Sequence, residues 1–127
     1  MEIRERRFEK NFAYFRIAGR YDYTEARGIF RKMNLESRNN KLDRILIDGR
    51  DLTGRMSFLD KVQSGLNIRN LGLDGLHIMF LGSSSFIKGD RYFENVAAGL
   101  GLDINVTTDK SEAFAKLGVS DPGIDKG

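Results

Sequence analysis

The chain has 127 residues and a mass of 14.4 kDa, a length at which one hydrophobic core forms and no second is needed. Apolar residues make up 40% and charged residues 31%, a globular balance rather than a disordered one. Cysteine is absent, which excludes disulfides, thiolate metal sites and thiol catalysis. A single histidine with scattered carboxylates is a poor donor set for zinc, so neither a metal nor a cofactor is expected.

The formal net charge of +3 is unevenly distributed. Residues 1–70 carry 16 Lys/Arg against 10 Asp/Glu, and residues 71–127 carry 5 against 8, an asymmetry able to steer an acidic partner. The arginines alternate with acids, as in Glu2-Ile3-Arg4-Glu5-Arg6-Arg7, and do not form the clustered basic face that nucleic-acid binding calls for. No stretch reaches the roughly 20 apolar residues of a membrane span. The start, Met1-Glu2-Ile3-Arg4-Glu5, has no apolar core behind its charges, unlike a signal peptide, and a cytoplasmic location is expected.

Residues 3–8 and 12–18 read as two strands around Glu9-Lys10-Asn11. In the second, Ala13, Phe15 and Ile17 alternate with Phe12, Tyr14 and Arg16, and the short connection predicts an antiparallel hairpin. A helix follows over 24–38, with Ala26, Ile29, Phe30 and Met33 in one apolar stripe. Asp22 or Thr24 caps it, Glu25 suits its positive end, and Arg27, Arg31 and Arg38 fall on its solvent face. Ile45-Leu46-Ile47 is apolar on both faces, as in a central strand, and it runs into the polar segment Asp48-Gly49-Arg50-Asp51. A second helix is predicted over 57–70, a strand over 76–81, a polar loop at Gly82-Ser83-Ser84-Ser85 and a third helix over 89–99. Ile104 and Val106 mark a last strand, and Asp109 caps a final helix that Gly118 stops. Residues 119–127 read as a frayed, flexible tail. Strands alternating with helices predict an α/β fold: a mixed sheet of four or five strands, antiparallel at the first hairpin and parallel thereafter, packed by about four helices.

The segment Ile45-Leu46-Ile47-Asp48-Gly49-Arg50-Asp51-Leu52-Thr53-Gly54 resembles the hallmark strand and loop of STAS-like domains, the relatives of sporulation anti-sigma-factor antagonists. Phe93-Glu94-Asn95-Val96-Ala97-Ala98-Gly99-Leu100-Gly101-Leu102 resembles the helix and turn before that family's last strand, and Val106-Thr107-Thr108-Asp109-Lys110-Ser111-Glu112-Ala113 its junction with the final helix. The resemblance covers about residues 12–118. It implies a protein-binding module in which a hydroxyl at the helix start after the hallmark loop is phosphorylated by a partner kinase, switching binding off. The family's regulatory branch has Asp-Ser-Ser/Thr-Gly there, whereas this chain has Arg55-Met56-Ser57-Phe58-Leu59-Asp60. Ser57 is the nearest hydroxyl and Thr53 the other candidate. The departure points to the divergent STAS-like branch, whose layout is similar to lipid-binding CRAL-TRIO domains.

Each candidate also has a structural reading. Ser57 with Asp60 three residues on forms a helix cap, or else a phosphorylation site beside Arg50 and Arg55. Asp48 and Asp51 sit where open α/β sheets bind ligands and could hold Mg²⁺, or else make turn hydrogen bonds. His77 inside a strand reads as a core or boundary residue, with no nucleophile motif beside it. Gly82-Ser83-Ser84-Ser85 could meet an anion, but no phosphate-loop spacing accompanies it. Together these readings predict a non-enzymatic signalling module. Ser57 and Thr53 are its candidate modification or contact residues, and Asp48, Arg50, Asp51 and Arg55 form its partner-contact loop. The partners expected are a protein, a kinase-type regulator among them, with no nucleic acid and no membrane span, and with a homodimer left open. The alternative is carriage of a lipid or other apolar molecule, suggested by the nine phenylalanines, Phe80 and Phe86 among them; those rings equally fill a core.

Overall fold

The computed structural model describes residues 1–54, 75–87 and 103–125. Its elements in chain order are β1 (Glu2–Phe8), β2 (Ala13–Arg20), α1 (Tyr23–Asn39), β3 (Arg44–Thr53), β4 (His77–Gly82), α2 (Ser84–Ile87), β5 (Asp103–Thr107) and α3 (Lys110–Leu117). The five strands form one sheet in the order β1-β2-β3-β4-β5. β1 runs antiparallel to β2, and β2, β3, β4 and β5 are mutually parallel. The α/β class, the opening hairpin and the parallel remainder are as the connection lengths predict. The predicted helices at 57–70 and 89–99 lie outside the described residues. No described helix is long and apolar enough to cross a membrane.

The two faces of the sheet have separate cores because side chains alternate along each strand. On one face Ala13, Phe15, Ile17, Ile45, Ile47, Ile78 and Ile104 pack with Met33 of α1, and with the partly buried Ile29 and Phe30. On the other, Tyr14, Leu46, Met79 and Leu81 pack with Phe12 and with Ala113, Phe114 and Leu117 of α3. Ile45, Leu46 and Ile47 are all buried, as the continuous apolar run requires of a central strand.

Both longer described helices are capped by the expected residues. The Asp22 carboxylate accepts from the Glu25 N–H at 3.0 Å, and Asp109 accepts from the Glu112 N–H at 3.2 Å. Gly118 ends α3 at φ 75°, the left-handed conformation in which a Cβ would be strained.

Three features differ from the sequence reading. β3 continues through Thr53, so Asp48-Gly49-Arg50-Asp51 is strand rather than loop. The cause is continued pairing with β2: Arg16 pairs with Asp48, and Ala18 with Asp51, leaving one extra residue on β3 as a bulge. The bulge lets Leu52 join the same core as Ile45 and Ile47, where strict alternation would send it to the opposite face. The Ser83–Ser85 segment is not all loop. Ser84–Ile87 forms a single helical turn, and the Phe86 N–H donates to the Ser83 carbonyl at 3.2 Å and to its hydroxyl at 3.3 Å. Finally, residues 119–125 do not extend into solvent as a frayed tail. Ile124 is 1% exposed and belongs to the second core, because apolar burial and the ion pairs described below hold it there.

The close approach of Gly49 to Phe80 is testable. A Cβ at Gly49 would lie 2.6 Å from Phe80 Cζ and 3.0 Å from Leu52 Cδ1, whereas one at Gly28 in α1 would meet nothing within 4 Å. In urea titrations Gly49→Val is expected to lose about 1–3 kcal/mol through overpacking. Gly28→Ala is expected to gain about 0.5–1 kcal/mol from helix propensity.

Candidate functional site

The site is built around Asp48, a carboxylate at 1% exposure on the face covered by α3. Residues 48 and 50 share a face of β3, so Arg50 turns back onto Asp48. Its Nε donates to Oδ1 at 2.9 Å, its Nη2 to Oδ2 at 2.7 Å and its backbone N–H to Oδ1 at 3.2 Å. Tyr14 on β2 pairs in register with Leu46, which makes it the diagonal neighbour of Asp48. Its hydroxyl donates to Oδ2 at 2.6 Å. Both carboxylate oxygens are thereby satisfied, each by two donors, and a fork-shaped guanidinium neutralises the charge.

Burial acts on Asp48 most strongly, favouring the neutral form, but the hydrogen bonds from Arg50 and Tyr14 together outweigh it and hold the carboxyl below its usual range. The Tyr14 hydroxyl is pushed up by burial and by its bond to the Asp48 carboxylate. Hydrogen bonding to Asp48 chiefly, and to Asp125, raises the already high value of Arg50 against the effect of burial. Tyr14 therefore stays a neutral donor and Asp48 a charged acceptor near neutrality.

Arg50 extends the network to the end of the described chain. Its Nη1 and Nη2 donate to the two Asp125 oxygens at 3.1 and 3.0 Å. Lys110 of α3 reaches Asp125 at 3.3 Å and Asp121 at 3.4 Å. The guanidinium of Arg50 thus joins a buried carboxylate to an exposed one.

The other predicted site residues are placed as follows. Asp51 is half exposed and paired with Arg16, at 2.5 Å from Nη2. Asp48 and Asp51 are each engaged by an arginine, so they do not form an open carboxylate pair for Mg²⁺. Among the described residues, no group of three or more potential ligands could hold a metal ion. Thr53 is exposed at the end of β3, its hydroxyl 3.5 Å from the Gly19 carbonyl. Ser57 and Arg55 lie outside the described residues. His77 is an exposed partner of Asp103, with Nδ1 2.6 Å from its carboxylate, rather than a core residue. Phe80 and Phe86 pack against the first core and lie 6.1 Å apart, and Phe86 also meets Tyr21 at 5.9 Å.

Tyr14, Asp125, Lys110 and Asp121 are the members of the network that the sequence reading missed. The alternation in β2 places Tyr14 on the same face as Arg16, which was the available signal. Nothing local marks Asp125, whose role depends on a contact across 75 positions.

No protein-family model matches the chain, and no curated protein matches it.

The network gives a pH dependence of definite sign. The carboxyls of Asp48 and Asp125 are both held low, that of Asp125 mainly by its bond to Arg50. Their stabilisation is present above the unfolded carboxyl value of about 3.9 and is lost as pH falls through the lower folded values. The melting temperature is expected to drop as pH falls from about 5 toward 2, with a shallower drop in Asp48→Asn. At neutral pH, Asp48→Asn is expected to cost about 3 kcal/mol by leaving Arg50 half-neutralised. Tyr14→Phe is expected to cost about 1.5–3 kcal/mol, the worth of a hydrogen bond to a charged group. Thermal melts across pH check the first expectation, and denaturant titration at neutral pH the two substitution costs.

Proposed function

We propose that this chain is a non-enzymatic, cytoplasmic protein–protein interaction module of the STAS-like kind, presenting the carboxyl end of β3 and the segment that follows it to a protein partner. One observation carries the reading. The buried Asp48 holds Arg50, and nearer the end of β3 Asp51 is held by Arg16, so this part of the strand offers a fixed arrangement of charge rather than a free acid or base. Preorganised charge of this kind favours specific docking. The mixed sheet with its antiparallel first hairpin supports the same reading, since the resemblance implies that layout.

In this proposal Ser57 is the regulated hydroxyl, and Arg50 and Arg55 lie near it in sequence. A phosphate there adds about −1.5 to −2 charges at a predicted helix start and opposes a partner seated on it. Ser57→Asp is expected to fold as the parent does, since Asp caps a helix about as well as Ser. It is expected to capture less of the partner that the parent retains, as quantified by mass spectrometry of matched pull-downs. Full retention by Ser57→Asp would remove Ser57 from any switching role.

A further inference from the structure

Residues 119–125 lie over the face of the sheet that carries Asp48, and side chains hold them there. The only backbone bond that anchors them to the rest of the described chain is at their start, where the Val119 N–H meets the Phe114 carbonyl at 3.1 Å. From residue 120 onward no described residue outside the segment makes a backbone hydrogen bond to it. Asp121 instead folds the segment on itself, accepting from the N–H groups of Gly123 at 2.8 Å and Ile124 at 3.1 Å.

Two adjacent side chains make most of the attachment, and Asp121 adds an ion pair to Lys110 at 3.4 Å. Ile124 enters the core shared by Phe12, Tyr14, Leu46 and Phe114. Asp125 takes the Arg50 fork through both of its oxygens, with Lys110 as a second cation. Asp125 does so at φ 70°, a left-handed conformation that a non-glycine residue adopts only at some cost. On the receiving side, Arg50 and Tyr14 are held by a residue outside the segment. Arg50 is fixed by the buried Asp48, and the ring of Tyr14 by the same carboxylate. The groove is therefore shaped and charged before the segment enters it.

We infer that this groove is a docking site for a protein segment presenting an aliphatic residue followed directly by a carboxylate, and that residues 121–125 occupy it in cis as a displaceable latch. The aliphatic side chain fills the apolar floor and the carboxylate meets Arg50 and Lys110. A competing segment needs only those two groups, because the bound segment has no backbone ladder to replace. The inference rests on the reading of the chain as a protein-binding module, but it invokes a different set of residues from the Ser57 switch.

The test uses the full chain and a fluorescently labelled peptide with the sequence of residues 119–125, followed by anisotropy. The parent chain is expected to bind it weakly and saturably, because the cis segment competes. Full-length Asp125→Asn weakens that competitor and is expected to bind the parent peptide about tenfold more tightly, as the competent open fraction rises. Peptides carrying Ser in place of Ile124, or Asn in place of Asp125, are expected to bind neither chain. A folded Asp125→Asn chain, with the parent's circular dichroism and a cooperative melt, that shows no saturable peptide binding would overturn the inference. So would equal affinity in parent and variant. Should Asp125→Asn not fold, full-length Ile124→Ser loosens the same latch while leaving Arg50 and Lys110 in place, and is expected to tighten binding of the parent peptide in the same sense. If neither variant folds, the segment is an integral clamp and the inference fails. Peptide binding without Ser57-dependent capture would leave the groove standing and remove only the proposed switch; the converse result would do the reverse.

Discussion

A charged carboxylate at 1% exposure is the constraint around which one whole face of this protein is arranged. Withdrawing such a group from water costs several kcal/mol unless it is neutralised and fully hydrogen-bonded. Asp48 meets that requirement with partners from two adjacent strands, Arg50 beside it on β3 and Tyr14 on β2. The two strands must therefore hold a definite register, and a bulge falls directly after Asp48, in the stretch that carries Arg50. The bulge keeps Leu52 in the opposite core while Arg50 stays on the face of Asp48.

The same guanidinium extends the constraint to the end of the described chain. α3 has eight residues, about 12 Å of helix, against a five-stranded sheet roughly 19 Å across. Among the described residues, Ile124 adds to the cover of Phe12 and Tyr14 that Phe114 begins. The ion pair between Arg50 and Asp125 sets the position of that side chain. Here a polar contact determines where an apolar one forms. The hydrophobic term supplies the attraction and the charge pair supplies the address.

This arrangement bears on function through rigidity. An acid held by an arginine and a tyrosine is a poor general base and a poor metal ligand, since its lone pairs are already directed at donors. It is well suited to fixing the position of the arginine, whose remaining N–H groups reach Asp125. The sheet edge at the end of β3 carries a second such pair in Arg16 and Asp51. A surface of preset charges suits recognition of another chain, which is the sense of the proposed function.

The sequence by itself determined the elements that depend on near neighbours. Alternation in Ala13–Ile17 determined a strand, the stripe from Ala26 to Met33 a helix, and Asp22, Asp109 and Gly118 the ends of helices, because caps and periodicity act within a few residues. Connection lengths then determined which strands run parallel. The role of Asp48 was only half legible: its place directly after the apolar run of β3 was visible, but its burial and the continuation of the strand past it were not. Whether a carboxylate is buried depends on what covers it, and the cover here comes from β2 and from residues more than sixty positions away. Only the tertiary structure decided that Asp48 and Asp51 each answer to an arginine instead of to each other, that β3 runs on through a bulge, and that Ile124 and Asp125 return to the sheet. A Ser-Asp-Pro-Gly stretch reads as a frayed end because its local propensities favour turns and solvent. Packing overrode them, since one buried isoleucine and one two-pronged ion pair act across a distance that no local pattern encodes.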